Sequence, residues 1–239
     1  MNTGPDAATS LPSPPRYVAP MPTFQTVLFD LDGTLIDSVD LIVDSYHYVH
    51  EVHGLPARTR DEILAGIGTP LRSVFGKMTD DPAVIDSWIA TYRVYNLEHH
   101  DQRVRAYDGA VEMVQRIKDS GIRLGLVTSK LRAGAQRGLT LVGLGDSMEL
   151  IIGADDVINP KPHPEPVERA LEQLGMTADS CLFVGDSHHD IHSGRAAGAW
   201  TAGVTWGPFD RAHLEQVAPD YVFDTPSALA EMVIGSTLR

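Results

Sequence analysis

The chain has 239 residues, with 19 basic and 32 acidic side chains and a formal net charge of −13. That length supplies one large domain, or one domain with a modest insert, and so acidic a balance argues against nucleic acid, whose phosphates are held by clustered Lys and Arg. Cys181 is the single cysteine, which excludes an internal disulfide and a thiolate zinc site, and no 18-residue apolar run exists to span a membrane.

Residues 1–22 carry six prolines (Pro5, Pro12, Pro14, Pro15, Pro20, Pro22) among small polar residues. Proline removes backbone donors and blocks helix, so this stretch is expected to be a flexible tail. It lacks the apolar core of a secretory signal, and the expected location is cytoplasmic. Gln25–Asp30 follows as an apolar, β-branched run of the kind that is buried on both faces of a sheet. Between Val39 and Val104 no strand pattern occurs. Leu41 to Val52 reads as a helix stopped by Gly54 and Pro56, Thr59 and Glu62 have capping-box spacing, and Asp81-Pro82 opens a helix with Val84, Ile85, Trp88, Ile89 and Tyr92 on one face. Strand runs then recur at Ile122–Thr128, Glu149–Ile152, Cys181–Gly185, Trp200–Thr205 and Asp220–Phe223. Helical patterns lie among them, with Ala110, Val111, Val114 and Ile117 before Gly121, and Pro166–Leu174 before Gly175. The expected fold is α/β: a mostly parallel, Rossmann-like sheet with helices on both faces, formed by 23–38 and 105–239, and an inserted all-helical cap domain at 39–104.

In such sheets ligands bind beyond the carboxyl ends of the strands. There the sequence places Asp30-Leu31-Asp32-Gly33-Thr34, Thr128-Ser129-Lys130, Lys161 in a proline-flanked loop, and Gly185-Asp186-Ser187 with Asp190 one turn later. Two carboxylates about 5 Å apart repel by roughly 3 kcal/mol at an effective dielectric near 20, so a cluster of them calls for a cation. Oxygen ligands of this kind suit magnesium, which pairs one or two carboxylates with substrate phosphate. Acids, one lysine and a small hydroxyl at one rim read as a phosphoryl-transfer site.

The nine residues Asp30 to Ser38 (DLDGTLIDS), with the other three segments in order, resemble the haloacid-dehalogenase superfamily of phosphatases with a helical cap. The segments Thr91-Tyr92-Arg93, Asn96 to Asp101, Val127 to Arg132 and Gly185 to Asp190 are most similar to the bacterial pyrophosphatases of that superfamily, and less so to its phosphoglycolate phosphatases. The resemblance implies that Asp30 is the nucleophile, Asp32 the general acid and base, Thr128 the residue orienting the phosphoryl group, and Lys161 its charge partner. It implies magnesium held by Asp30, the Asp32 carbonyl and Asp186, with Asp190 in support. Gly33, Thr34, Ser129 and Lys130 are the expected substrate contacts, with Arg72 of the Gly66–Arg72 cap loop as an anion contact. The implied partner is inorganic pyrophosphate first and a small phosphorylated metabolite such as 2-phosphoglycolate second, for a monomer or homodimer. An acid at position 32 favours phosphohydrolase or phosphomutase over dehalogenase, and a silent phosphate-binding protein stays open.

The ten histidines need separate weighing. His47, His50 and His53 fit a wet helix face. His188 and His192 have the spacing of a two-histidine metal site, which keeps a zinc hydrolase as a competing reading. His99, His100, His188 and His189 are expected near the junction of cap and core.

Overall fold

A computed structural model describes residues 22–237; the proline-rich tail expected at 1–22 therefore lies almost wholly outside the described residues. Six strands form the main sheet: β1 (Thr26–Phe29), β4 (Arg123–Val127), β5 (Leu150–Ile152), β6 (Cys181–Gly185), β7 (Trp200–Val204) and β8 (Tyr221–Phe223). Their order is β5-β4-β1-β6-β7-β8, and every pairing is parallel. All six are the runs anticipated from sequence. Their apolar character follows from burial on both faces, and alternation sorts the side chains. Val27 and Phe29 of β1, with Leu182 and Val184 of β6, join the core that contains Met113, Val114 and Ile117 of α5 (Ala110–Asp119) and Leu229 and Val233 of α10 (Pro226–Thr237). Leu28, Cys181 and Phe183 point the other way, onto Val167, Ala170 and Leu171 of α7 (Glu165–Leu174).

The chain winds outward from β1 in both directions, so β1 lies at the topological switch, where the connections leave a crevice at the strands' carboxyl ends. Between β1 and α5 the chain forms four helices: α1 (Val39–Val52), α2 (Arg60–Leu64), α3 (Leu71–Phe75) and α4 (Pro82–Arg103). The Thr59–Glu62 capping box and the Asp81 cap, which accepts from the Ala83 N–H, both form. These helices have a core of their own, in which Tyr46 packs on Phe75 and Tyr92 at ring-centroid distances of 5.6 and 5.1 Å, and Trp88 on Phe75 at 5.6 Å.

Two features differ from the sequence reading. Leu71 and Arg72, read as the end of the Gly66–Arg72 loop, open α3, whose Val74 and Phe75 are buried. A short antiparallel ribbon joins β2 (Ile36–Asp37) to β3 (Arg105–Ala106) at the two points where the chain enters and leaves the helical segment. Two residues per strand are too few to show a period in sequence. No helix among the described residues is long and apolar enough to cross a membrane.

Phe29 is fully buried one residue before Asp30. Phe29→Ala is expected to cost about 3–5 kcal/mol in urea unfolding monitored by circular dichroism; a loss under about 1 kcal/mol would contradict this account of the core.

Candidate active site

The carboxyl ends of β1, β4 and β6 converge because their backbones are locked side by side. The Asp30 N–H donates to the Val184 carbonyl at 2.8 Å, and the Thr128 N–H to the Ile152 carbonyl at 2.9 Å. Each side chain just past a strand end is thereby aimed into the crevice. Lys161, in the loop after β5, reaches the same point with its ammonium, donating to Asp30 Oδ1 at 2.8 Å, Asp190 Oδ1 at 2.6 Å and the Val127 carbonyl at 3.2 Å. It is 3% exposed, so the charge is stable there only because two carboxylates and a carbonyl replace its water. Burial alone would lower its pKa; Asp190 and Asp30 outweigh that and raise it.

Donor oxygens of Asp30, Asp186 and Asp190 lie within 4.8 Å of one another, all three residues buried. Asp186 Oδ1 accepts from the Thr34 hydroxyl at 3.0 Å, whereas Oδ2 is buried with no hydrogen-bond partner among the described residues. A buried carboxylate oxygen without a donor costs several kcal/mol unless a cation supplies the missing interaction. The all-oxygen donor set and this orphan atom fit a hard divalent cation, with Asp30 and Asp186 the free ligands. Asp190, expected as a ligand or in support of one, is committed elsewhere: Oδ1 to Lys161, and Oδ2 to the Ser187 N–H at 3.0 Å and hydroxyl at 2.7 Å. It positions Lys161. Burial, followed by the charges of Asp190 and Asp32 and opposed by Lys161, pushes Asp30 up to about 7; burial, then Asp190 and Asp30, raises Asp186 well above the carboxylate range.

The Asp32 side chain turns away from this cluster. Its Oδ1 accepts from the Ser38 hydroxyl at 2.5 Å and from the Lys130 ammonium at 2.7 Å. Burial would raise its pKa, but Lys130 and Ser38 outweigh it and hold the carboxyl below the ordinary range. No hydrogen bond among the described residues engages its main-chain carbonyl, which leaves that oxygen to a cation. Thr128 is buried, with its Oγ1 accepting from the Lys130 N–H at 3.2 Å, which leaves the hydroxyl hydrogen for another acceptor.

Two glycines are required by close approach. Gly33 has φ +89°, and a Cβ there would stand 2.6 Å from Asp186 Oδ2; a Cβ on Gly185 would stand 2.3 Å from the Asp190 Cβ. Gly33 and Thr34, expected to touch substrate, do not line the cavity above the site; they back Asp186 from behind. That cavity measures about 790 Å³ and lies between the strand ends and the helical segment. Asp30, Asp32, Thr128, Ser129 and Lys130 form its floor. Arg72 lines it as expected, but its guanidinium is engaged by Asp86, so it is not a free anion contact. Ser129 reaches the other way, its hydroxyl donating to the Gly68 carbonyl of the cap loop.

The α4 side chains Tyr92, Arg93 and Asn96, absent from the sequence-derived site, also line the cavity. The apolar pattern marked Tyr92 as core; Arg93 and Asn96 fell within the two α4 segments that carry the resemblance to pyrophosphatases, and that was the signal that could have placed them at the site. The histidines take structural places. His47, His50 and His53 bond to Arg58, Pro56 and Thr91 within the helical segment. His99 stacks on Tyr95, and His100 bonds to Asp101. His189 meets Thr69 of the cap loop at 3.1 Å, its pKa pulled down to about 4 by burial and then by His188 beside it. Among the described residues, no histidine joins a group of three or more metal-ligating side chains, so His188 and His192 have no third ligand beside them.

Residues 27–204 match the family model of haloacid dehalogenase-like hydrolases. The chain is 42% identical over 214 residues to pyrophosphatase PpaX of Anoxybacillus flavithermus, covering 90% of this chain and 98% of that protein. Against PpaX of Bacillus mycoides it is 41% identical, covering 85% and 94%. A solved structure from Haemophilus somnus, described as a predicted phosphoglycolate phosphatase, superposes with a TM-score of 0.79 at 25% identity, covering 89% of this chain and 99% of that one.

The raised carboxyls fix the sign of a pH effect. Between the unfolded value near 3.8 and the folded value of about 7 for Asp30, the folded protein binds more protons than the unfolded one, so stability falls as pH rises through that window. With chelator present, Tm is expected to fall from pH 5 to pH 7.5 more steeply for the native protein than for Asp186→Asn. Equal slopes would refute the cluster's role.

Proposed function

Because this chain belongs to the haloacid dehalogenase-like hydrolase family, we propose that it is a magnesium-dependent phosphohydrolase whose substrate is inorganic pyrophosphate. The observation that carries this is the division of labour at Asp30: Lys161 holds Oδ1 at 2.8 Å, while no hydrogen bond among the described residues engages Oδ2. An anchored carboxylate with one free oxygen, lining a cavity, is the form a nucleophile needs. Pyrophosphate as substrate is supported by the names of the relatives above 40% identity, and 2-phosphoglycolate follows on the Haemophilus somnus structure.

In this mechanism Asp30 Oδ2 attacks phosphorus, an O–P bond forms, and the bond to the leaving phosphate breaks. The Thr128 hydroxyl and Lys161 meet the phosphoryl oxygens. Asp30, Asp186 and the Asp32 carbonyl would hold magnesium, which would supply charge stabilisation for the transferring phosphoryl group. Water then attacks the phosphorus as its proton passes to Asp32, the bond from phosphorus to Asp30 breaks, phosphate is released with the Asp30 carboxylate restored, and Asp32 returns the proton to solvent. The ionised state favoured by Lys130 and Ser38 suits Asp32 to the second step. It also suits a leaving group that needs little protonation, and phosphate is such a group where an alkoxide is not.

The helical segment 39–104 acts as the cap of the core formed by 23–38 and 105–239. We assign the enzyme to the cytoplasm, as a monomer or homodimer with no nucleic-acid or membrane partner, in keeping with a charge of −13.

Phosphate release from pyrophosphate is expected only with magnesium present, and Asp30→Asn should reduce it by a factor of about 10³ or more. Native turnover in that variant defeats the mechanism. In rapid-quench experiments, Asp32→Asn should slow aspartyl-phosphate formation less with pyrophosphate than with 2-phosphoglycolate. An equal loss for both would contradict this account of Asp32 and the leaving group.

A further inference from the structure

Three cationic side chains line the cavity: Arg72, Arg93 and Lys130. Arg72 is balanced by Asp86, and Lys130 by Asp32 at 2.7 Å. Arg93 differs, since among the described residues it has neither an ion pair nor a hydrogen bond. Its place on α4 is set by helical spacing. Asp86, Ala90, Arg93 and Leu97 recur every three or four residues, and all four line the cavity. The same turn carries Tyr92 and Asn96, both buried and both cavity-lining. Arg93 is exposed and lies on the cavity-lining face of α4.

The charge balance of the cavity gives this residue a purpose. Its other two cations pair with Asp86 and Asp32, and Asp30 with Lys161 beneath the floor, while much of the remaining wall is aliphatic, including Ile42, Ile67 and Ile89. A substrate such as pyrophosphate brings a second anionic group that the magnesium-side machinery does not neutralise. A guanidinium offers a planar fork of donors that matches a phosphate or carboxylate edge. We infer that Arg93 binds the anionic leaving portion of the substrate and so selects phosphoryl compounds whose leaving group is itself a phosphate or carboxylate. This rests on the phosphohydrolase reading and specifies what the leaving group meets.

Steady-state kinetics with magnesium should compare the native protein, Arg93→Ala and Arg93→Lys on pyrophosphate, 2-phosphoglycolate and phenyl phosphate, whose leaving group carries no second anion. Arg93→Ala is expected to raise KM for the first two by about 10- to 100-fold, with a smaller change in kcat, and to lower their kcat/KM relative to phenyl phosphate by a similar factor. Arg93→Lys should recover part of the loss, as a point charge without the fork. Calorimetric binding of imidodiphosphate, a non-hydrolysable analogue, reads the same contact without turnover and should weaken in Arg93→Ala by a comparable factor. An equal loss on all three substrates, or unchanged imidodiphosphate affinity, overturns the inference. Hydrolysis of phenyl phosphate and 2-phosphoglycolate but not pyrophosphate by the native protein would instead defeat the pyrophosphate assignment. Arg93 would then be judged on 2-phosphoglycolate.

Discussion

The ammonium of Lys161 lies between Asp30 and Asp190, at 2.8 and 2.6 Å, and ties together segments of chain that are 131 and 29 residues distant from it. Much of the site's geometry follows from that contact. The buried charge requires both carboxylates, and removing either partner would leave the others uncompensated in a medium that solvates them poorly. Because Asp190 is committed to Lys161 and Ser187, and Lys161 occupies one oxygen of Asp30, the remaining free oxygens belong to Asp30 and Asp186. The lysine therefore does two jobs at once: it lowers the repulsion among the acids and decides which of their oxygens are left to work.

A parallel sheet makes this convergence possible. Strands buried on both faces have to be apolar along their length, so polar chemistry is driven to their ends, and parallel direction puts all the carboxyl ends on one rim. The switch in winding at β1 opens a crevice there, with β4 on one side and β6 on the other. Gly33 and Gly185 let the chain pack against Asp186 and Asp190 without a side chain in the way.

The helical segment closes the crevice into a cavity; polar contacts tie it to the core, Ser129 to the Gly68 carbonyl, His189 to Thr69 and Arg137 to Asp101 at 2.9 Å, and Leu41 and Tyr95 pack against the core's apolar cluster. Its internal stability comes from a separate aromatic core around Tyr46, Phe75, Trp88 and Tyr92. A unit with its own core, entering and leaving through the short β2–β3 ribbon, can present residues to the cavity without disturbing the sheet. The division of tasks follows: the floor carries the bond chemistry, and the wall carries whatever recognises the rest of the substrate.

The amino-acid sequence by itself determined the strands, most of the helices and the identity of the floor residues, because burial on two faces, capping and strand-end acids are local patterns. It also determined that Asp30, Asp32, Thr128, Lys161 and Asp186 lie at one rim, since parallel strands leave no other arrangement. What only the tertiary structure decided was which of these groups meet. Asp32 turns to Lys130 and Ser38, Asp190 to Lys161, Thr34 to Asp186, and Arg72 to Asp86, while Arg93 is left facing the cavity. The physical reason is range: helix and strand patterns act over a few residues, whereas ion pairs and hydrogen bonds depend on through-space distances between segments that no local period encodes.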